Sequence, residues 1–419
     1  MFKTLIALSV SLAAASPTFA DDILVDASGL QSAHTNVASA MAVARPGDRL
    51  LLLPGHYPPF LFEVGVSVIG LGEDAASVVV DRVDLHVSEP SIGYTAVLSN
   101  LTAGDGSALN AVPISGNEQS PGVVVIDGVF VDGGVFIGGG ADGFHLHMSG
   151  SAVEPGPGDG FLGAGVHLGG SAGFSFEIID SRLAGWDADD DLGVPAGDAL
   201  HLSGPVRGRL VRTEVLGGDG SSMQPSGGDA VRRFVSGAAV HLRVDGGTLV
   251  RGGDAQLGGL AGAALDVGGV LEFGDASVQG GSGAVSGLAF AGDLALESLP
   301  GSLHLSVEPA QIAGIGAPAI QSGAQLTLSV DVPADSAALF LALDLGLPAP
   351  SPATLISVHS PAMLILNSSA SFVVPDIGVD MPGVMLYANA WVRATPGSKL
   401  QVSNTVSRRL DLVADIPQG

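Results

Sequence analysis

Cysteine is absent from all 419 residues, which excludes disulfides, thiolate metal sites, a cysteine nucleophile and a lipid anchor on a processed cysteine. Stability therefore has to come from burial and hydrogen bonding. Lysine is almost as scarce: beyond residue 20 only Lys399 remains, arginine supplies nearly all positive charge, and the formal balance is −26. No nucleic acid is expected as a partner of so acidic a chain. The same acidity repels anionic glycans unless calcium bridges the two surfaces, so charge favours neutral glycans or calcium-dependent binding. Charged residues make up 14% of the chain and aromatics 5%, against 46% hydrophobic residues and 62 glycines. Disordered glycine-rich chains lack that much apolar content, so frequent turns must alternate with short buried strands.

Long apolar runs are missing too. Beyond residue 20 no segment offers the roughly 18 uninterrupted apolar residues a membrane helix needs, and AALFLALDLGLPAP is broken by Asp344 and prolines. The opening MFKTLIALSVSLAAASPTFA carries one cation, Lys3, then an apolar run from Leu5 to Ala15 and small residues up to Ala20. It reads as a secretory signal over residues 1–20. A protein secreted to the exterior or held at the cell surface is expected.

What the sequence does contain is repetition. A Gly/Ala pair followed by an aliphatic-polar-aliphatic triplet recurs in GADGFHL, GAGVHL, GDALHL, GAAVHL and GAALDV, with His145, His167, His201, His241 and Asp266 at its centre. Before, between and after these lie SNLTAGDG, DGVFVDGG, DSRLAGWD, RTEVLGGDG and GDASVQGGSG. Two short strand motifs per unit of about 22 to 25 residues, lengthened by loop insertions, describe the coil of a β-solenoid. Gly, Asp and Ser supply the positive φ angles of its corners, and outward polar residues alternate with inward aliphatic ones.

Ahead of the repeats, Val37, Met41 and Val43 lie among alanines in a helix-like stretch from His34 to Ala44, which ends before Pro46-Gly47, and LLLLP reads as a buried strand. The order VDASG, short helix, PGD, LLLLPGHY, GVSVIGLG resembles the N-terminal opening of pectin-lyase-like right-handed parallel β-helix proteins, over roughly Ile23 to Val307. That resemblance implies an all-β solenoid over residues 21–307 whose first coil is capped by a helix. From Glu308 the coils give way to QLTLSVDV, AALFLALDLG, VMLYANAWV and KLQVSN. Such alternation predicts a small antiparallel β-sandwich-like domain over residues 308–419. Its ending is similar to C-terminal modules of large secreted bacterial surface proteins.

Four groups of residues carry candidate chemistry. His167, His201 and His241 are expected to stack as one outward column, with His145 below and Asp266 above, able to hold a transition metal or to contact sugar rings. Such stacking is equally the ordinary habit of a solenoid. Trp186 stands beside Asp187, Asp189 and Asp191, groups suited to calcium or carbohydrate, although Leu192 occupies the glycine position an EF-hand needs. Arg207, Arg209 and Arg212 alternate with apolar residues, so some share a sheet face. In the C-terminal module Tyr387 and Trp391 lie on a candidate strand. The motifs of the enzymes that use this fold are missing: GDALHLSG has Asp198 and His201 but no second aspartate, and no segment like the WIDH of pectate lyases or the GHG and RIK of polygalacturonases occurs. Two functions follow. One is a non-catalytic, secreted or cell-surface β-helix that binds extracellular polysaccharide or a cell-surface glycan, or plays an adhesive role. The other is a polysaccharide lyase or glycoside hydrolase.

Overall fold

The computed structural model describes residues 21–298 apart from the segments 86–94, 105–113, 117–122, 140–143, 157–163, 171–172, 234–239, 257, 275 and 292–293, together with the backbone of the strands between Ser302 and Asp411. Up to residue 298 the chain is an all-β parallel solenoid of the right-handed type, three strands to a coil. Arg49–Leu52, Gly55–Tyr57 and Phe60–Leu61 make one coil; Ser67–Gly70, Val78–Val80 and Val83–Leu85 make the next. Every strand pairs in parallel with its counterparts one coil away, Leu50 with Val68 for example. The outcome is a first sheet of eleven strands and a second and third sheet of nine each, all in simple sequence order.

Strand alternation explains the core. Val124 and Ile126 point inward and stand in register with Leu146 and Met148, then with Phe176 and Ile178 on the following coil, and all six are fully buried. Each such side chain contributes about 1.5–3 kcal/mol on burial, but only stacking closes the core, because one coil alone leaves its apolar edges open.

In six successive coils the corner from first to second sheet opens on a left-handed residue. Asn100, Gly128, Gly150, Asp180, Arg212 and Gly246 have φ of 53°, 61°, 51°, 47°, 48° and 67°. The residues before them, from Ser99 through Asp127, Ser149, Ile179 and Val211 to Asp245, are paired in register. DGVFVDGG and DSRLAGWD mark this corner. Asn and Asp tolerate the conformation, whereas arginine has no such ease. Arg212 is held there by a fork on Asp180, Nε to Oδ1 at 2.6 Å and Nη2 to Oδ2 at 3.1 Å.

Coils range from 18 to 35 residues, and in the later ones the extra length leaves between second and third sheets. Four such loops depart at Trp186, Gly218, Gly253 and Gly281 and return at Gly197, Gly228, Gly262 and Gly287. Backbone hydrogen bonds zigzag between the two columns: Gly197 N–H to Trp186 O at 2.9 Å, Gly218 to Gly197 at 3.0 Å, Gly228 to Gly218 at 2.8 Å, Gly253 to Gly228 at 2.8 Å and Gly262 to Gly253 at 2.9 Å, continuing through Gly281 and Gly287. Contact is so close that a Cβ on Gly253 would lie 1.8 Å from the Gly218 carbonyl oxygen. At each of the seven neck glycines a Cβ would come within 3 Å of a neighbouring atom, and Trp186 is the one neck position that carries a side chain. Seven of the 62 glycines are thereby accounted for.

At the N-terminus the helix Val37–Met41 is shorter than its sequence pattern predicts. Asn36 caps it by accepting the Ser39 N–H at 2.8 Å, and Val37, Ala40 and Met41 are buried against the first strands. At the other end parallel pairing runs to Leu294–Ser298. From Ser302–Glu308 onward the long pairings are antiparallel: Ser302–Glu308 with Gln325–Asp331, and Ala338–Gly346 with Val384–Arg393, which holds Tyr387 and Trp391. Among the described residues no helix is long and apolar enough to cross a membrane.

Candidate functional site

The single histidine column expected from the triplets is two columns on different sheets. His167 and His201 pair in register on the third sheet, followed by Arg232 and Asp266. His145 and His241 belong to the first sheet, where Ser175 and Arg207 separate them. The reason is physical: inward-outward-inward alternation is common to every strand of a solenoid, so a triplet does not say which sheet it joins. The true third-sheet successor of GDALHL is GDAVRR, with Arg232 in place of histidine.

On the third sheet three planar groups follow one another outward. The Phe136 and His167 rings lie 5.4 Å apart and tilted, and the His167 and His201 rings 5.9 Å apart and edge-on. Burial, and then the nearby His201, push the His167 pKa down to about 4, so this imidazole is neutral at pH 7. His201 Nε2 meets Asp198 Oδ2 at 2.5 Å, and Arg232 Nη1 lies 3.4 Å from the same oxygen. Asp198 Oδ1 accepts the backbone N–H of Asp229 one coil on, at 2.6 Å, and Asp229 Oδ1 accepts that of Ala263 at 2.6 Å. Asp229 thus sits one coil on from Asp198, linked to it through its own backbone N–H. Burial and then the Asp198 charge push its pKa up to about 6.

This shift makes a testable statement about stability. A folded-state pKa above the unfolded value favours the fold at low pH, and the contribution is lost as pH rises from about 4 through about 6. Asp229→Asn keeps the oxygen that accepts the Ala263 N–H and removes the charge. The two proteins are expected to melt together near pH 4, with the variant more stable by about 2–3 kcal/mol at pH 8. Parallel melting profiles across that range would refute the assignment.

The first sheet carries the denser group, on its outward face yet buried. Glu177 accepts from Arg209 Nη1 at 2.9 Å and lies 3.3 Å from His147 Nδ1, while Arg209 Nη2 is 3.8 Å from Asp245 Oδ2. Glu177 and His147 have no exposed side-chain surface, and Arg209 has 4%. His145 Nδ1 contacts Ser175 Oγ at 2.9 Å, and burial takes its pKa down to about 4. Burial lowers the Arg209 pKa and raises that of Asp245, each opposed by the other's charge. Further along, His241 Nε2 meets Glu272 at 3.0 Å and Arg243 pairs with the same carboxylate. A guanidinium beside Glu177 makes this row a poor cation site. His147, Glu177 and Asp245 escape the repeat pattern, although a glutamate inside the apolar run FSFEII is a signal in itself.

The insertion residues are used internally. Trp186 is buried, its indole N–H donates to Pro195 O at 2.8 Å, and its ring packs where Gly197 would carry a Cβ. Asp187, Asp219 and Asp254 form a ladder in which each carboxylate accepts the N–H of the next loop, at 2.8, 2.7 and 2.7 Å. Asp189 closes its own turn by accepting from Asp191 and Leu192 N–H at 2.8 and 3.0 Å. Asp191 is exposed, and Asp190 takes the Ser221 and Ser222 hydroxyls and the Met223 N–H. Among the described residues no group of three or more His, Asp or Glu is placed to hold a metal ion. No family model matches the chain, and neither a curated protein nor a solved structure gives a significant match.

Proposed function

We propose that this chain is an exported, non-catalytic β-helix of the pectin-lyase-like kind that binds extracellular carbohydrate or serves an adhesive role at the cell surface. In this reading the helix Val37–Met41 covers the first coil, and the antiparallel strands beyond Ser302 form a sandwich-like attachment module. The supporting observation is that the chemistry-bearing side chains are engaged with one another: Asp198 with His201 and the Asp229 N–H, Glu177 with Arg209, Trp186 with Pro195, Asp187 with Asp219. A catalytic group keeps an approachable atom for substrate; Asp198, His201, Glu177, Arg209 and Trp186 are buried, and the exposed Asp187 spends a carboxylate oxygen on the Asp219 N–H.

Glycan contact then falls to polar groups that keep exposed surface, His241 also meeting Glu272. Arg207 and His241 are direct register partners on the first sheet, Arg207 exposed and the His241 side chain 39% exposed. Planar donors one rung apart, about 4.8 Å, suit a sugar chain lying along the solenoid axis. Screening the protein against a glycan panel, with detection of new reducing or unsaturated ends, tests both parts. Binding without product is expected, weakened at least tenfold in Arg207→Ala/His241→Ala; unchanged affinity in that variant would remove this face from the account.

A second reading, glycoside hydrolysis, is favoured by the Asp198 and Asp229 pair. Two carboxyls about one rung apart, one of raised pKa, resemble an acid and nucleophile in arrangement. Product in the same screen, abolished by Asp229→Asn, would establish it over the first.

A further inference from the structure

We infer that the stacked loops between second and third sheets form a docking edge for a cationic, amphipathic polypeptide segment. Loops 187–196, 219–227, 254–256 with 258–261, and 282–286 are held rung to rung, by Ala188 N–H to Asp219 O at 2.8 Å, Gly220 to Asp254 at 2.8 Å and Ala255 to Ser282 at 2.7 Å. Each presents one aliphatic side chain to solvent: Leu192, Met223, Leu260 and Val285, exposed by 48, 71, 62 and 53%. The only other exposed large hydrophobics among the described residues are Leu30, Val43 and Leu288, and Leu288 directly follows the neck. Leu260 and Val285 are bridged in register, and the Met223 N–H reaches Asp190, two residues from Leu192; exposed apolar side chains scattered singly mean little, whereas one on each of four successive coils marks a contact surface.

Charge selects the occupant. These loops contain Asp187, Asp189, Asp190, Asp191, Asp219 and Asp254 and no lysine or arginine, Asp254 alone pairing with Arg251 at the foot of its loop. A second copy would set aspartates against aspartates, and an anionic lipid surface would be repelled likewise. A segment with aliphatic side chains along one face and Lys or Arg beside them satisfies both features, laying its apolar row on the ridge and its cations on the acidic flank. The partner class is protein, separate from the glycan proposed for the Arg207 face, and the two stand or fall independently.

A fluorescent model peptide of alternating leucine and lysine blocks serves as the probe, beside an oligolysine of equal charge. The full chain is expected to bind the amphipathic peptide at least tenfold tighter than oligolysine. Met223→Ser/Leu260→Ser should abolish that preference, whereas Leu30→Ser/Val43→Ser, which alters exposed apolar residues elsewhere, should retain it. All four side chains are exposed, so folding is spared, and circular dichroism checks this. A preference that survives Met223→Ser/Leu260→Ser overturns the inference, as does equal binding of the two peptides. Self-association in sedimentation that depends on Met223 and Leu260, without peptide binding, overturns it in favour of a second copy.

Discussion

Arg209→Met is expected to destabilise the solenoid by about 3–5 kcal/mol, the usual cost of removing one partner from a buried ion pair. The Arg209 guanidinium is the cation lying between two carboxylates that face outward from the first sheet yet are 0% and 1% exposed, Glu177 and Asp245. Methionine fills much of the same volume, so the loss isolates charge from packing. Asp245 already has a raised pKa through burial, and removing Arg209 raises it further. Stability tied to a raised carboxyl pKa is present at low pH and lost as pH rises. The deficit of the variant should therefore be smaller at pH 5 than at pH 8, and adding Glu177→Gln should recover part of it. A melting temperature within a degree of wild type at pH 8 would show that the row is solvated and unimportant to the fold.

Gly253→Ala should be about as damaging, for a steric reason. Its Cβ would stand 1.8 Å from a backbone oxygen, and relief requires breaking hydrogen bonds to Gly228 and from Gly262. Overpacking of about 1–3 kcal/mol and two displaced amide bonds at about 1 kcal/mol each give roughly 3–5 kcal/mol. Gly193 is the matched control: its φ is 65° but nothing lies within 4 Å of a Cβ there, so Gly193→Ala should cost only about 1 kcal/mol from left-handed strain. Equal effects of the two substitutions, read by chemical denaturation, would mean that the glycine columns are not a close-packed neck.

The contrast between these two sites shows what a sequence of this kind discloses. Corners were legible because one residue does the work locally: Asn100, Asp180 and Gly128 announce a left-handed turn wherever they occur after an aliphatic strand. The parallel stacking was legible because triplets recur. Which sheet a triplet joins was not, since His201 and His241 have the same neighbours and differ only in where the intervening loop leaves the coil. The glycine columns, the Asp187 to Asp254 ladder and the Asp198 and Asp229 pair are assembled between coils separated by loops of unequal length, so no fixed spacing betrays them. Trp186 illustrates the converse: an indole beside four aspartates has the composition of a sugar site, yet it is buried against Gly197 and closes the base of its own loop.

The buried rows, the glycine neck and the loop ladder all depend on the register of the coils, and the absence of native cysteine allows that register to be measured directly. Arg182 and Glu214 are outward partners on adjacent rungs of the second sheet, with side chains 51% and 56% exposed, and Leu249 is the next partner beyond Glu214. Cysteines placed at 182 and 214 would have Cα atoms about 4.8 Å apart, within the span a disulfide bridges, whereas 182 and 249 would be separated by about twice that. Mild oxidation of the Arg182→Cys/Glu214→Cys protein should give a rapid intramolecular disulfide, and the Arg182→Cys/Leu249→Cys protein should give none. Cross-linking of the second pair, or failure of the first in a folded protein, would contradict the parallel solenoid and its register.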